Sequence, residues 1–424
     1  MEGLSIAIAG AGTGGLAAAC FLARAGHRVE IFERFAEPRP LGAGLMLQPT
    51  GLACLARLGL DQEAIASGRV LSGIHGRTLA GTVIFDISYD VLGSRCFGVG
   101  IHRGTLFNLL LDAVTRAQIP VRTGCDIRTT TCADDGRRLI DGNGRTHGPF
   151  NLVVDATGMR SVLRAGEVTV RVNRPNPYGA VWGIVDEPAD WPYKNQLRQR
   201  YDGCHTMVGV LPVGHRPSHE KPVCAVFWSL RVGDYPLWRS AGIPAWRDRV
   251  LKIWPETEPM LSQFASVDDL TQAVYADITL ARPTSDRMVL IGDAARTASP
   301  QLGQGANLAL VDAMTLADCL AAEPALAPAL DRYARQRRAH TRFYTLASQW
   351  LTPFFQSDSR IAGVARDAVF PPMAHVPWLR RQMVETLAGI KTGPFSRLDP
   401  GKWDERYGLG RTPPAEPAPA NTSA

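Results

Sequence analysis

A glycine-rich segment near the amino terminus constrains the fold of this chain more than any other feature. Gly10, Gly12 and Gly15 form the pattern G-x-G-x-x-G, after an apolar segment that predicts a strand (Leu4 to Ala9) and at the start of an Ala-rich segment that predicts a helix. The first glycine permits a tight turn, the second lets the backbone approach a pyrophosphate, and the third lets the helix pack on the sheet. A second predicted strand ends just before Glu33, which indicates a β-α-β unit within a parallel sheet covered by helices.

Glu33 and the neighbouring Arg34 complete the prediction of a dinucleotide site. The Glu33 carboxylate is expected to accept hydrogen bonds from the ribose hydroxyls of an adenosine, and its negative charge argues against a 2′-phosphate there. The predicted helix offers unpaired N–H groups and a partial positive charge to the phosphates. The segment therefore predicts FAD or NAD, with Arg34 as a further cofactor-binding candidate.

A second signature distinguishes between these cofactors. Asp293 follows Gly292 after the predicted strand Met288 to Ile291, and the pattern P-x-x-G-x-G-x-N comes next, formed by Pro300, Gly303, Gly305 and Asn307. This pattern resembles that of the flavin-dependent aromatic hydroxylases typified by p-hydroxybenzoate hydroxylase. The resemblance implies that Asp293 binds the ribityl chain of FAD and that the turn from Gly303 to Asn307 lies against the isoalloxazine. A helix starting near Gly305 would direct its amides at the flavin N1 and C2 carbonyl region, where reduction places negative charge.

The third signature is a segment similar to the family's A-D-G-x-x-S-x-x-R. Asp155 and Gly158 are cofactor-binding candidates within it, and Ser161 and Arg164 also match, but Thr157 stands where the family usually has aspartate. In the family that aspartate is associated with both FAD and nicotinamide binding. Its replacement weakens the expectation that NAD(P)H reduces the flavin directly, and Thr157→Asp is then expected to speed that reduction.

Two further segments match the family at single positions. Arg103, just before the predicted helix Thr105 to Arg116, matches the family arginine that reaches FAD. Gly44, in the segment Gly42-Ala43-Gly44-Leu45, matches a glycine beside the flavin. With these matches the resemblance runs from about residue 4 to about residue 340, and it is specific only around the cofactor.

The sequence pattern divides the chain into an FAD-binding part and a substrate part. Alternating, aromatic-rich segments from about Tyr178 to Leu280 predict a second, largely antiparallel sheet, and Asp331 to Phe355 predicts a long helix. The predicted fold class is α/β, with a Rossmann-like FAD-binding domain, a mainly antiparallel substrate sheet and C-terminal helices. The predicted ranges are 1–75, 97–176 and 281–330 for the FAD-binding domain, 76–96 and 177–280 for the substrate domain, 331–396 for the helical region and 397–424 for a largely disordered tail.

Composition excludes several other classes of protein. The net charge is +6, and 45% hydrophobic and 20% charged residues are typical of a globular chain. The basic residues are scattered, and their densest cluster (Arg335, Arg337 and Arg338) predicts one solvated helix face, so nucleic acid is not an expected partner. Apolar runs are broken too soon to span a bilayer, so a membrane is not an expected partner either. No signal peptide is recognisable, which favours the cytoplasm. The eight cysteines are dispersed without a C-x-x-C pair, so no metal site is expected.

The resemblance implies an FAD-dependent monooxygenase, a monomer or homodimer, that hydroxylates an aromatic or similarly electron-rich small molecule through a flavin C4a-hydroperoxide. It would use O2, with NAD(P)H as a transient reductant because a second G-x-G-x-x-G is absent. Family position or predicted strand faces nominate five substrate-pocket residues: Leu47, Trp182, Met207, Trp228 and Pro300. The catalytic base is unknown; His205 and Tyr201, on a predicted strand, are its candidates. Three alternatives stay open: a flavin-dependent reductase or dehydrogenase, a halogenase-like enzyme, and a non-catalytic flavin-binding protein.

Overall fold

The computed structural model of the protein describes residues 1–39, 43–93 and 95–409. The strands, in chain order, are β1 (Ser5–Ala9), β2 (Arg28–Phe32), β3 (Gly44–Leu47), β4 (Arg69–Leu71), β5 (Gly73–Thr78), β6 (Val83–Ser88), β7 (Gly98–His102), β8 (Val121–Arg122), β9 (Ile127–Ala133), β10 (Gly136–Asp141), β11 (Thr146–Phe150), β12 (Leu152–Asp155), β13 (Val170–Asp186), β14 (Gln196–Asp202), β15 (Thr206–His215), β16 (Pro222–Arg231), β17 (Thr271–Leu280), β18 (Thr284–Ser285) and β19 (Met288–Leu290). The α-helices are α1 (Thr13–Arg24), α2 (Pro49–Arg57), α3 (Asp61–Ser67), α4 (Arg103–Arg116), α5 (Tyr235–Ile253), α6 (Glu258–Leu261), α7 (Gly305–Ala322), α8 (Leu326–Phe355), α9 (Arg360–His375) and α10 (Pro377–Leu387).

A six-stranded sheet contains the strand that precedes the glycine-rich segment. Its order is β18-β19-β12-β1-β2-β8, and every neighbouring pair except β18 and β19 is parallel. Helices α1, α4 and α7 supply the apolar core on one face. On the other face, Leu139 and Phe150 of the antiparallel β9–β11 sheet pack into the core with Ala7 and Val153. The sheet is therefore buried on both faces, as its short apolar strands require.

A seven-stranded sheet, in the order β17-β13-β16-β15-β14-β5-β6, forms the second layer system. Its neighbours are antiparallel except β14 and β5. One face packs against α5 and α6 in an aromatic core. The opposite face packs Val213 and Ala225 against Met46 and Ala43 of the first half of the chain. That opposite face therefore packs on a three-stranded sheet, in the order β3-β7-β4.

The predicted α/β class, with its two kinds of sheet and its C-terminal helices, is confirmed. The boundaries expected at residues 76 and 177 lie earlier, because β5 already pairs at Gly73 with Ser88 and β13 already pairs at Val170 with Leu280. Helix α8 likewise begins at Leu326 rather than at residue 331. Strand pairing and helix packing extend these elements beyond the residues whose composition predicts them.

The expectation of a disordered tail is wrong for residues 397–409. Tyr407 is buried, and its hydroxyl donates to Asp61 Oδ2 at 2.7 Å, while Arg406 Nη1 lies 2.9 Å from the same oxygen. One aromatic side chain thus anchors a segment that was assigned to the tail from the sequence. The rest of the predicted tail, residues 410–424, lies outside the described residues.

Helix α7 is long and apolar enough to cross a membrane by length and composition, which the sequence analysis did not anticipate. However, 72% of that window is buried inside the protein. The helix packs against α1, α2 and α8. Its apolar character is therefore accounted for by its place in the core.

A buried charge network joins α7 to α8. The Asp312 carboxylate accepts from Arg296 Nη1 at 2.8 Å and from Arg337 Nε at 2.7 Å. Burial alone would raise the pKa of Asp312, but these two guanidinium groups hold it below its ordinary value. Arg337 is buried, so its predicted place on a solvated helix face is wrong, whereas Arg335 and Arg338 are exposed.

His340 extends this network and makes stability depend on pH. Its Nε2 donates to the Gly389 carbonyl oxygen at 2.7 Å and its Nδ1 accepts from Arg337 Nη1 at 2.7 Å, which assigns the neutral tautomer. Burial, assisted by Arg337, holds the pKa of His340 well below its ordinary value. Below pH ~6.5 the unfolded chain binds a proton here that the folded chain does not, so stability is lost as the pH falls through the unfolded-state pKa.

We therefore expect His340→Gln, whose amide can make both hydrogen bonds, to be less sensitive to acid than the natural protein. Between pH ~7.5 and pH ~5.5 the free energy of unfolding, measured by urea denaturation, should fall by about 1.4 kcal/mol less in the variant. An identical pH dependence in the two proteins would show that His340 is not held neutral.

Candidate functional site

The loops after four parallel strands meet at one edge of the six-stranded sheet. Gly10 follows β1, Glu33 follows β2, Ala156 follows β12, and Gly292 follows β19 at an interval of one residue. Carboxyl ends of parallel strands share one edge, where ligands bind in open α/β sheets. Eight predicted cofactor residues line the strand-end cleft formed there: Gly10, Gly12, Glu33, Arg34, Arg103, Gly158, Asp293 and Gly305. Three signatures separated in sequence therefore converge on one cavity.

The three glycines of the first signature have different structural roles. Gly10 has φ 101°, and an added Cβ would lie 2.6 Å from the Ala156 carbonyl oxygen. At Gly15 an added Cβ would lie 2.0 Å from the Gly10 carbonyl oxygen, so this glycine serves the packing of α1 on β1. Gly12 has an ordinary φ of −77°, and a Cβ there would meet nothing within 4 Å. The protein itself does not need glycine at position 12, whereas a ligand that approaches the backbone closely does.

Two helices begin at the strand-end cleft. Among the described residues, neither α1 nor α7 has a side-chain cap or an acidic residue in its first turn. The first-turn N–H groups of a helix lack intrahelical partners and carry partial positive charge. Thr13 of α1 and Gly305 of α7 both line the cleft. The cleft thus offers two sets of backbone donors to anionic or carbonyl groups.

Glu33 is held in place by backbone donors. Its Oε2 accepts from Ala11 N at 2.8 Å and its Oε1 accepts from Phe35 N at 3.0 Å, and the residue is buried. Each carboxylate oxygen keeps a further acceptor position. The arrangement suits the predicted role of accepting hydrogen bonds from ribose hydroxyls.

Asp293 occupies a different wall of the strand-end cleft. Its side chain is exposed toward the cleft, yet protein atoms crowd it. Desolvation by these protein atoms raises the pKa of the Asp293 carboxyl, while the charges of Arg103 and Arg296 act in the opposite direction. Gly292 N donates to Asp312 Oδ2 at 2.9 Å, so the buried charge network fixes the turn that carries Asp293. A Cβ added at Gly305 would lie 3.9 Å from Asp293 Oδ1, so Asp293 and the start of α7 share one end of the cleft.

Asp155 does not line the cleft; its hydrogen bonds fix the loop of the third signature. It is fully buried; Thr157 N and Oγ1 donate to its Oδ1 at 3.0 and 2.6 Å, and Ser161 Oγ donates to its Oδ2 at 2.5 Å. Burial raises the pKa of Asp155, and these hydrogen bonds act against the rise. The loop so held presents Gly158, with φ 88°, to the cleft.

Because of these contacts, Thr157→Asp should also lower the free energy of unfolding, which was not expected from the sequence. The substitution removes a donor from Asp155 and places a second carboxylate beside it, so the free energy of unfolding should fall by about 1–3 kcal/mol. Thr157→Ser, which keeps the hydroxyl, is the control and should stay close to the natural protein. Equal urea midpoints for Thr157→Asp and the natural protein would contradict this account. The predicted gain in NAD(P)H reduction must be measured where both variants are folded.

The remaining cofactor candidates support the strand-end cleft without lining it. They are Gly15, Gly44, Asp155, Pro300, Gly303 and Asn307. Asn307 Oδ1 accepts from Gln48 N at 2.8 Å and its Nδ2 donates to the Met46 carbonyl oxygen at 2.9 Å, which ties the first turn of α7 to the end of β3. A Cβ at Gly44 would lie 2.7 Å from Val213 Cγ1, so this glycine permits close approach of β3 to the seven-stranded sheet. Gly42 of the same segment lies outside the described residues.

One face of the seven-stranded sheet carries the aromatic side chains Trp182 and Phe227. Trp182 stacks on Phe227 with ring centroids 4.5 Å apart. Burial raises the pKa of the neighbouring Tyr275 hydroxyl, whereas a hydrogen bond with Trp182 and the charge of Arg103 act against the rise. The charge of Arg103 thus acts on both Asp293 and Tyr275. The sequence analysis missed Tyr275, although the alternation of β17 places it on the Trp182 face of the sheet.

The other predicted pocket residues are placed differently. Trp228 lies on the opposite face of the sheet, in the core with α5, so its predicted pocket role is wrong. Neighbouring strand residues alternate, so Phe227, which pairs with Trp182, takes the position on the aromatic face. Leu47 is fully buried in the core beneath the six-stranded sheet. Met207 packs in one buried cluster with Phe227 and with Phe355 of α8, against which Trp182 also packs. Pro300 is exposed in a short 3-10 turn.

Neither candidate for the catalytic base lines the cleft. His205 lies not on a strand but in the exposed turn between β14 and β15, with its Nδ1 2.8 Å from Thr206 Oγ1. Tyr201 is buried, its hydroxyl donates to Gln199 Oε1 at 2.8 Å, and burial raises its pKa. The role of a base stays a prediction without structural support for either residue.

Sequence reasoning also missed three arginines. Arg39, Arg128 and Arg160 line the strand-end cleft together with Arg34. Arg34 and Arg39 both lie over the Phe35 ring, at 4.6 and 4.9 Å from its centroid. The only signal in the sequence was the net charge of +6, which favours anionic ligands without locating them.

A potential ligand cluster lies beside the cleft. Cys125, which lines the cleft, Asp141 and His147 bring one ligand atom each to within 4.8 Å of one another. His147 Nε2 is 3.1 Å from Asp141 Oδ2, and this hydrogen bond lowers the pKa of Asp141. The expectation that the protein uses no metal stays a prediction.

Comparison with known proteins agrees with this geometry. A family model described as FAD binding domain matches residues 4–346. The chain is 26% identical to aurachin C monooxygenase/isomerase of Stigmatella aurantiaca, over 88% of this chain and 95% of that protein. It is 29% identical to 3-amino-4-hydroxybenzoate 2-monooxygenase of Streptomyces cremeus, over 82% and 88%. The crystal structure of Klebsiella pneumoniae HpxO complexed with FAD and uric acid shares the fold, with a TM-score of 0.76, 21% identity and coverage of 93% of this chain and 99% of that chain.

Proposed function

Because the chain belongs to the family of FAD-dependent aromatic hydroxylases, we propose that it is a monooxygenase that hydroxylates a small aromatic or similarly electron-rich molecule, with NAD(P)H as reductant. One atom of O2 enters the product and the other leaves as water. When bound, FAD supplies the redox chemistry that activates O2. The proposal is supported by the convergence of three family signatures on the strand-end cleft, which Arg103 also lines.

The residues of the strand-end cleft fit FAD. Gly12 leaves bare backbone where a pyrophosphate would approach, and Glu33 has acceptors left for ribose hydroxyls. At the other end, Asp293 would accept hydrogen bonds from the ribityl hydroxyls. The N–H groups at the start of α7 would stabilise negative charge on the ring system.

The aromatic sheet face would hold the substrate. Trp182 and Tyr275 offer flat apolar surface, and the Tyr275 hydroxyl offers a polar contact that would orient a ring hydroxyl or carbonyl group. Arg103 would favour negative charge on a substrate or on the cofactor beside it. Packing of this face against the first half of the chain would exclude water, which otherwise diverts reduced flavin chemistry from the substrate.

The test is a screen of aromatic acids and phenols by their effect on the flavin absorption spectrum. Compounds that shift the spectrum are then assayed for NAD(P)H oxidation and for product under 18O-labelled O2. We expect a substrate to accelerate NAD(P)H oxidation and to gain one labelled oxygen atom. Hydride transfer to a ligand without oxygen incorporation would instead identify a reductase, and flavin binding without turnover would identify a non-catalytic protein.

A further inference from the structure

The C-terminal helices expose an apolar surface that the cofactor site does not use. Of the exposed large apolar side chains in the described part of the chain, eight lie between residues 346 and 395. The outward side of α9 carries Ile361, Val364 and Val369, and Ile361 is 83% exposed. Trp350 of α8 and Phe395 after α10 are 80% and 88% exposed. Because α9 packs against both α8 and α10, we call these residues and Trp378 the α8–α10 surface.

Unpaired positive charge accompanies the α8–α10 surface. Five exposed arginines of these helices have no ion-pair partner among the described residues: Arg335, Arg338, Arg342, Arg360 and Arg380. On α8 the first three precede Leu346 and Trp350 at helical spacing along one exposed side. Two acidic side chains in the range 332–397 are exposed, Asp358 and Asp367, and both are already paired, with Arg231 at 2.5 Å and with Arg366 at 2.8 Å. The surface is therefore apolar, aromatic and cationic.

The charges of the α8–α10 surface distinguish between two partners that could bind there, a second copy of the chain and a lipid bilayer. In a two-fold dimer the same surface would face itself, so its arginines would oppose one another with little acidic charge to pair with. An anionic bilayer instead attracts each arginine near its headgroups, and tryptophan and phenylalanine side chains insert at the boundary between headgroups and acyl chains. The sequence analysis expected no membrane partner because no span was recognised, a criterion that does not apply to binding at the bilayer surface.

We propose that the α8–α10 surface docks the folded, FAD-loaded protein on the surface of anionic lipid bilayers. In this binding mode the protein lies on the bilayer surface and does not cross the bilayer. The cofactor site is the strand-end cleft, at the edge of the six-stranded sheet. Binding to the bilayer is independent of the reaction that the site performs.

The experiment measures co-sedimentation of the FAD-loaded full chain with vesicles of phosphatidylglycerol and phosphatidylcholine, and with vesicles of phosphatidylcholine alone. We expect binding to the anionic vesicles that weakens as salt is added and is at least about tenfold weaker without phosphatidylglycerol. The double variant Ile361→Ser, Val364→Ser should lose about tenfold in vesicle affinity. Leu237→Ser on α5 is the matched control, since Leu237 is 72% exposed but lies outside the surface, and it should bind like the natural protein.

Three results would overturn the proposal. The first is no sedimentation with anionic vesicles. The second is equal loss of binding in the double variant and in the Leu237→Ser control. The third is a dimer in light scattering that the double variant converts to a monomer, which would make the surface an interface between copies of the chain. Unchanged flavin content and absorption spectra verify that each variant is folded.

Discussion

An Asp293→Ala variant is expected to fold and yet to purify with little or no FAD. Asp293 follows the buried turn that Gly292 N anchors on Asp312, and its own side chain serves no hydrogen bond seen within the described residues. Its removal therefore costs the fold little, but it removes the acceptor at the end of the strand-end cleft where α7 begins. A hydrogen bond to a charged acceptor contributes about 1.5–3 kcal/mol, so FAD affinity should fall roughly 10- to 150-fold.

Calorimetric titration of the FAD-free protein with FAD measures this change. Asp293→Asn is the matched control because its amide oxygen still accepts a hydrogen bond, and it should lose less affinity than the alanine variant. A thermal midpoint close to that of the FAD-free natural protein verifies folding. Full FAD occupancy in Asp293→Ala would show that the ribityl assignment is wrong.

Gly12→Asp is expected to have the larger effect, and to separate folding from cofactor binding. The backbone at position 12 suits any residue, and a Cβ there meets no protein atom within 4 Å. Aspartate at the first position before α1 would cap the helix, so the FAD-free protein should be as stable as the natural one or more stable by a few tenths of a kcal/mol. The same carboxylate would occupy and repel the site of the pyrophosphate, so FAD affinity should fall at least about 100-fold, or about 2.8 kcal/mol.

Gly12→Asn distinguishes repulsion from obstruction, since it has the same shape and capping ability without the charge. It should bind FAD more weakly than the natural protein and more tightly than Gly12→Asp. Gly15→Ala gives the opposite pattern, because its Cβ would lie 2.0 Å from a backbone oxygen and should lower stability by about 1–3 kcal/mol. If Gly12→Asp bound FAD normally, α1 would not face the pyrophosphate.

The cofactor end of the molecule was predictable because its signals are local. Each signature joins a short apolar strand to a glycine turn, and Gly10, Glu33 and Gly292 all lie just beyond strand ends in the structure. Parallel pairing of the strands then brings these turns to one edge of the six-stranded sheet, independently of how the rest of the chain folds. The contributions of the individual side chains to binding remain predictions that the two variants above would test.

The substrate end was less predictable because strand faces depend on register. Trp228 and Phe227 are neighbours in sequence, but only Phe227 lies on the Trp182 face of the sheet, and a shift by one residue would exchange them. The pairing of β13 with β17 shifts register between Pro175 and Gly179, and Tyr275 lies opposite this irregularity. From the sequence, Arg337 likewise resembles a surface residue. Only the packing of α7 on α8 shows that it pairs with Asp312.

The most direct test of the account is the binding of FAD itself. If the strand-end cleft binds FAD, we expect the purified chain to show the absorption spectrum of a bound flavin, or to acquire it on addition of FAD. A calorimetric titration should give one FAD bound per chain. A colourless, folded protein that takes up no FAD when it is supplied would contradict the assignment of the strand-end cleft and of everything inferred from it.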